Sequence, residues 1–459
     1  MIKGWFLYNK GEPILFTQMY FWGFFAVVLL LYSLVYKHNT VRTIFLLAVS
    51  FFFYYKTSGV FLILLLFTIC SDYLWGYLLH KYRQQGFKRI FLIISLVFNL
   101  FLLCYFKYAY FFTESYNEVM NTKYPFFNHF SHFSNGFFNT EFSVDKLIMP
   151  IGISFFTFQS ISYVMDIYRE KITPVKSIFD YGFFVCFFPH LVAGPIVKAK
   201  EFIFQIYEPY SLSRTEFGMA VFWIMNGFGK KILADYVAVN FIDRVFHNTS
   251  LYTGFECILA IFAYSFQVYA DFSGYTDIAI GIALLMGFRL KTNFNSPYKA
   301  ASTTEFWQRW HISLSSWLKE YLYIPLGGNR GGTAGSYIVI ALMCGVVILL
   351  SGSYRIPVFI SLLMIALIFI VLSLFFKGFR KAIQTNINLM ITMLIGGFWH
   401  GSSWMFIIWG GLNGFGLVLH KIWLKIPMQR VRDFWLYRGL MIFVTLTFIS
   451  FTRIWFRVG

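Results

Sequence analysis

Charge is what this sequence has least of. Asp, Glu, Lys and Arg make up 13% of its 459 residues, where a soluble domain carries about 25%. That shortage excludes a water-soluble globular protein with a solvated surface, because long apolar runs recur from one end to the other. Acidic residues are the scarcer sign, 20 against 38 Lys and Arg, for a net charge of +18. In so apolar a chain Lys and Arg mark cytoplasmic loops, so no nucleic-acid partner is read from the excess. Cysteines are few: Cys70, Cys104, Cys186, Cys257 and Cys344 all lie in apolar stretches, and none forms a CxxC. Buried free thiols are expected. His129 and His132 stand three apart with no cysteine nearby, and no metal site is expected. There is no tandem repeat, low-complexity tract or linker. The opening MIKGWFLYNKGEPILF has no small-residue cleavage site, so the first apolar segment is expected to remain.

Apolar residues are what the chain has most of, at 58%, and mean hydropathy is +0.64. We read about eleven to thirteen membrane segments, each near the ~20 residues that span a bilayer core. The clearest are residues 19–36, 41–55, 59–80, 90–112, 147–167, 219–241, 255–288, 357–376, 404–420 and 435–456. Residues 337–350 are short for a span. Residues 255–288 are long and polar in the middle, and read as one element or two. The 60 phenylalanines suit lipid-facing and helix-packing surfaces and carry no mechanism. Basic connections at 36–42, 80–89 and 169–176 alternate with the acidic-containing stretch 113–145. This predicts an outside N-terminus and an outside loop at 113–145.

The stretch FWQRWHISLSSWLKEYLYIPLGGNR, 306–330, is the least lipid-like part of the core. STTE at its start is a capping box, and we expect a helix over 302–322. At 100° per residue, Glu305, Arg309, Ser313, Ser316 and Glu320 share one side. Trp307, Trp310, Leu314, Trp317, Leu318 and Tyr321 share the other. The helix is expected to lie at the membrane interface or to dip into the protein. His311 falls off the polar side, near Trp307, Ser315, Leu318 and Leu322. It reads either as a structural histidine or as a functional one, since an imidazole inside a membrane protein is costly. Pro325 ends the helix. The glycines after it read as a plain turn, or as an anion site of backbone N–H groups and Arg330.

MLIGGFWHGSSWMFIIWGGLNGFG, 393–416, holds His400 in a run with no charged residue. Its glycines permit close helix approach. A neutral His400 suits a general base that takes a proton from an attacking hydroxyl. Two buried histidines also fit a proton relay in a transporter, and composition does not separate the two readings. Asp271, Ser273 and Asp277 are polar within a span, so packing and functional roles compete. Pro189, Gly194 and Pro195 in FFPHLVAGP predict a helix break and a re-entrant piece.

EFWQRWHISLSSWLKEYLYIPLGGNR and NLMITMLIGGFWHG resemble the paired signatures of the membrane-bound O-acyltransferase family. The nearest branch is that of the bacterial alginate and peptidoglycan O-acetyltransferase membrane components. YFKYAYFF, MPIGISFFTFQSISYVMDIYR, FFPHLVAGPIVKAKEF, GFGKKILADYVA, YADFSGYTDIAIGIALLMGF and NFNSPYKAASTTEFW follow the same branch in order, from about residue 100 to about 425. The resemblance implies an all-α polytopic fold with a central tunnel, as one membrane domain over 1–459. Its parts are N-terminal helices at 1–112, an extracytoplasmic loop at 113–145, a core at 147–425 and a C-terminal helix at 434–456. It assigns His400 to the catalytic position and His311 to a second signature position lining the same tunnel. Further tunnel-lining candidates are Trp307, Ser315, Gln159, Asp271 and Ser273. Lys319, Arg330, Lys230 and Lys231 are candidates for holding coenzyme A phosphates.

No bound cofactor is implied; acetyl-CoA is the expected donor. The acetyl group would pass outward across a bacterial inner membrane to an exported polysaccharide, with an extracytoplasmic partner of the SGNH type and membrane lipids around the chain. The chain departs from the family pattern in an apolar insertion at about 336–378, expected to form a hairpin. It also stops at FTRIWFRVG, where a further segment is expected. A sugar transporter, an envelope scaffold and a D-alanyl transfer component are the competing readings.

Overall fold

A computed structural model describes residues 8, 14–84, 86–138, 141–376, 378–427 and 434–459. Every regular element among them is helical. In chain order these are α1 (Met19–Val35), α2 (Asn39–Ser58), α3 (Leu62–Lys81), α4 (Phe87–Met120), α5 (His129–Phe138), α6 (Ile153–Tyr168), α7 (Ile178–Cys186), α8 (Phe188–Leu191), α9 (Ala199–Tyr207), α10 (Arg214–Val237), α11 (Asp243–His247), α12 (Gly254–Leu285), α13 (Thr303–Arg309), α14 (Ile312–Leu318), α15 (Ala334–Leu350), α16 (Arg355–Phe375), α17 (Phe379–His400), α18 (Trp404–Trp423) and α19 (Trp435–Val458). Six helical runs are long and apolar enough to cross a membrane: Asn39–Lys81, Phe87–Met120, Gly254–Leu285, Gly352–Phe375, Trp404–Trp423 and Trp435–Val458. Met19–Val35 and Ala334–Leu350 are apolar but shorter. Of the remaining apolar runs, 147–167 falls largely in α6, most of whose residues are buried in protein, and 219–241 falls largely in α10, which buries Ala220, Ile224, Gly227 and Ala234.

The chain forms two compact units. The first takes the described residues up to Cys104, then Met149–Ser296 and Arg309–Leu314. Its principal helix pair is α10 on α12, where the two backbones touch: a Cβ at Gly227 would meet the Gly274 carbonyl oxygen at 2.5 Å. Asp72, fully buried, accepts hydrogen bonds from Asn99 Nδ2 at 2.7 Å and Ser95 Oγ at 3.2 Å. The break expected at Pro189 separates α7 from α8, and every residue of α8 is buried. Residues 255–288 form one element, since α12 runs unbroken for 32 residues. Its start is held by a capping box between Thr253 and Glu256, and its internal acids are neutralised by lysines of α10, so nothing forces a break.

The second unit takes the described residues of Tyr105–Ile148, Pro297–Gln308 and Ser315–Gly459. Here α17 packs on α18 and α18 on α19. A Cβ at Gly410 would meet the Met393 carbonyl oxygen at 2.4 Å, and one at Gly397 would meet the Phe406 carbonyl oxygen at 2.3 Å. The glycines let the two backbones approach, as the sequence indicated. The insertion forms α15 and α16, which pack together; no residue of α16 is buried, as suits lipid contact. Residues 113–145 include the last turns of α4 and the whole of α5.

Candidate functional site

The expected helix over 302–322 is broken. α13 ends at Arg309, α14 begins at Ile312, and His311 between them has φ +43°. That left-handed conformation is uncommon for a residue with a Cβ, although histidine adopts it more readily than most. Tertiary pairing causes the break. The Ile312 N–H donates to the Asn293 carbonyl at 2.9 Å, and the Asn295 N–H donates to the Arg309 carbonyl at 2.9 Å. The Arg309 guanidinium donates to the Asn295 carbonyl at 3.1 Å. The break also turns Ser313, grouped with the polar face in the sequence, into a buried residue at 7% exposure.

His311 is 1% exposed. Its Nδ1 lies 3.1 Å from Asn293 Oδ1, which also accepts from the Ser313 N–H at 3.2 Å and the Ser313 hydroxyl at 2.9 Å. A backbone N–H can only donate, so the Asn293 oxygen must face this cluster. The ring therefore carries a proton on Nδ1, and in the neutral form its lone pair sits on Nε2. Ser313 Oγ in turn accepts the Ile196 N–H at 3.0 Å. The edge of Phe272 closes on the ring at 4.7 Å. Asn293 is a site residue the sequence reading missed. It stands in NFNSP, quoted for its resemblance, but an asparagine carries no pattern that names its partner.

His400 is the last residue of α17, and Gly401 leaves the helix in an extended conformation. The final carbonyls of a helix have no partner within it. Here α4 supplies them: Lys107 Nζ donates to the Trp399 carbonyl, and the Tyr108 hydroxyl donates to the Phe398 carbonyl at 2.8 Å. The half-buried His400 ring lies against Trp399 (4.9 Å), Trp409 (5.2 Å, edge-on) and Phe456 (5.4 Å). Among the described residues, the cations Lys107 and Arg453 act on it. Arg453 is 3% exposed and donates to the Tyr298 hydroxyl at 2.6 Å. Neither cation was named from sequence, although a lone Lys in YFKYAYFF and a lone Arg in FTRIWF satisfy the rule that ionisable residues within membrane helices are functional candidates.

Lys319 and Arg330 line one surface pocket of about 570 Å³, together with Tyr323, Ile324 and residues 327–333. Both are exposed, and neither forms an ion pair among the described residues. Gly327 has φ +108°, and a Cβ there would meet the Gly331 carbonyl oxygen at 2.0 Å, so this tight loop requires glycine. Asn388 Nδ2 donates to the Gly331 carbonyl at 2.8 Å, and Gln384 accepts the Gly332 N–H at 3.0 Å. The loop is thus clamped to α17, the helix that ends in His400. Twelve residues separate Asn388 from His400, about 18 Å of helix.

Lys230 and Lys231 are held in ion pairs within the first unit. Lys230 pairs with Asp277 at 2.6 Å; Lys231 pairs with Asp271 at 2.5 Å and Asp235 at 2.7 Å. Carboxylates already neutralise them, which removes the reason for assigning them to phosphate. Of the remaining candidates, Asp271 is held in that pair, Ser273 and Gln159 are buried in the first unit, Ser315 is half-buried on α14, and Trp307 lies 5.8 Å from Trp409.

Residues 99–386 match the family model of MBOAT, the membrane-bound O-acyltransferase family. The chain belongs to that family. His311 lies inside the matched range and His400 beyond its end. As an MBOAT protein with several long apolar helices, it is a multi-pass membrane protein. It is 35% identical over 409 residues to the probable alginate O-acetylase AlgI of Pseudomonas aeruginosa, covering 88% of this chain and 65% of that one. It is 32% identical over 470 residues to the peptidoglycan O-acetyltransferase of Helicobacter pylori, covering 96% and 76%. Similarity at 26% identity over 286 residues extends to the teichoic acid D-alanyltransferase of Streptococcus thermophilus, covering 61% and 59%. The chain spans just under two thirds of the AlgI protein's length.

Proposed function

We propose that this MBOAT protein is an O-acyltransferase that moves an acetyl group from a cytoplasmic thioester to a hydroxyl of an exported cell-surface polysaccharide. The reading rests on His400: an imidazole held at the end of α17, its helix terminus capped by Lys107 and Tyr108. A ring nitrogen of His400 takes the proton of the acceptor hydroxyl as its oxygen attacks the thioester carbonyl. The carbon–oxygen bond forms, the carbon–sulfur bond breaks, and the proton goes to the departing thiolate. His311 is the second functional imidazole, with Nε2 as its acceptor atom. The names of the alginate and peptidoglycan relatives support a polysaccharide acceptor.

Acetyl-CoA is the proposed donor. Lys319 and Arg330 offer exposed cations to its phosphates, and about 18 Å of α17 between loop clamp and His400 suits a long, flexible pantetheine arm. An SGNH-type extracytoplasmic protein is the proposed partner, in a bacterial inner membrane with the N-terminus outside. The D-alanyltransferase similarity favours a second donor, a D-alanyl thioester on a carrier protein.

The test is thioester consumption by the full chain in proteoliposomes, with labelled acetyl-CoA or D-alanyl carrier as donor. His400→Gln is expected to reduce turnover about 10²–10⁴-fold, the usual contribution of a general base, with its melting temperature unchanged. Turnover of neither donor by the wild type, or equal turnover by His400→Gln, would refute the reading.

A further inference from the structure

Three indole N–H groups elsewhere in this chain find acceptors. Trp22 donates to the Phe16 carbonyl at 2.9 Å, Trp75 to Ser71 Oγ at 3.0 Å and Trp423 to the Tyr437 hydroxyl at 2.9 Å. Trp307 and Trp409 are different. The Nε1 atom of each is buried with no acceptor among the described residues. A buried donor without an acceptor is destabilising, so it is retained where something other than the fold requires it. The two orphaned donors belong to neighbouring rings, 5.8 Å apart, and Trp409, 5% exposed, stands edge-on to His400 at 5.2 Å.

The arrangement is built rather than incidental. Thr303 Oγ1 donates to the Gly416 carbonyl at 2.9 Å, and Thr304 Oγ1 lies 2.8 Å from His420 Nδ1, which ties α13 to α18. Trp307 lies one helical turn beyond Thr303, and Trp409 two turns before Gly416, so the tie sets the two indoles against each other. The nearby charges, Lys107 and Arg453, are positive. The two indole donors are thus held side by side near His400 with no acceptor for either among the described residues.

We propose that the indole N–H groups of Trp409 and Trp307 hold the carbonyl oxygen of the acyl group beside His400 and stabilise the oxyanion formed on it. This rests on the acyltransferase reading above. When the acceptor oxygen bonds to the acyl carbon, the carbonyl electron pair moves onto oxygen, and the two donors meet that charge without reorganising. When the pair returns, the thiolate leaves and takes the proton that His400 removed from the hydroxyl. The indoles exchange no proton.

The test uses the full chain in proteoliposomes with [1-13C]acetyl-CoA as probe. Trp409→Phe and Trp307→Phe are accompanied by benzothienylalanine at each position, which replaces the N–H by sulfur and preserves the ring shape. Loss of one such donor is expected to lower kcat about 10²–10³-fold with KM little changed. The labelled carbonyl band of bound thioester, shifted to lower frequency in the wild type, is expected to move back towards its free position. Wild-type kcat and an unmoved band in both benzothienyl variants would overturn the assignment. So would a fall in kcat that only follows a fall in melting temperature. An active wild type and an inactive His400→Gln variant, with unaffected indole variants, would sink this inference alone; an inactive wild type would sink the acyltransferase reading as well.

Discussion

Asn293 controls the state of His311. One carboxamide oxygen accepts from the imidazole, a hydroxyl and a backbone N–H, and so determines which ring nitrogen keeps a lone pair. Asn293→Leu would strand three buried donors, each at a cost of ~1–3 kcal/mol. The expected result is a loss of a few kcal/mol, read as a lower melting temperature in detergent, while Asn293→Asp, which keeps the acceptor, loses less. Equal melting temperatures for wild type and Asn293→Leu would contradict the assignment. The helical projection from sequence separated His311 from the polar residues but misplaced Ser313. Projection assumes a continuous helix, and the left-handed φ of His311 resets the phase.

Among the elements, α17 and α18 depend on contact between backbones. Gly410→Val would drive a side chain into the Met393 carbonyl and across to Gly397. It is expected to destabilise the protein by about 1–3 kcal/mol, the usual effect of overpacking. It should also lower thioester turnover, since His400 is three residues beyond Gly397. Gly23→Ala, which meets nothing within 4 Å, is the control, and equal melting temperatures for the two variants would refute the contact. The start of α10 offers a pH test. Glu216 accepts the Ser213 N–H in a capping box and pairs with Arg289. The hydrogen bond from the Ser213 backbone, then Arg289, lowers its pKa to about 2. A depressed carboxyl pKa contributes stability above its unfolded value of ~4.3, which is lost as pH falls from there towards 2. Hydrogen exchange at the first turn of α10 should accelerate over that window in the wild type, and Glu216→Gln should flatten the dependence. An unchanged profile in Glu216→Gln would show that another group titrates.

At the scale of the whole molecule, hydropathy and residue type are properties of each short stretch, and they survive any fold. The sequence alone therefore determined an all-helical membrane protein, its family, the glycines that permit close approach of α17 to α18 and the two histidines as functional candidates. The contacts that give those histidines their surroundings join residues distant along the chain, and no periodicity encodes them. Only the tertiary structure decided that Lys230 and Lys231 are consumed by Asp277 and Asp271, that the helix breaks at His311, and that Lys107 and Arg453 face His400. The same holds for the Trp307 and Trp409 donors. A charge or an N–H group read from sequence is only a capacity, and its role depends on whether the fold places a partner beside it.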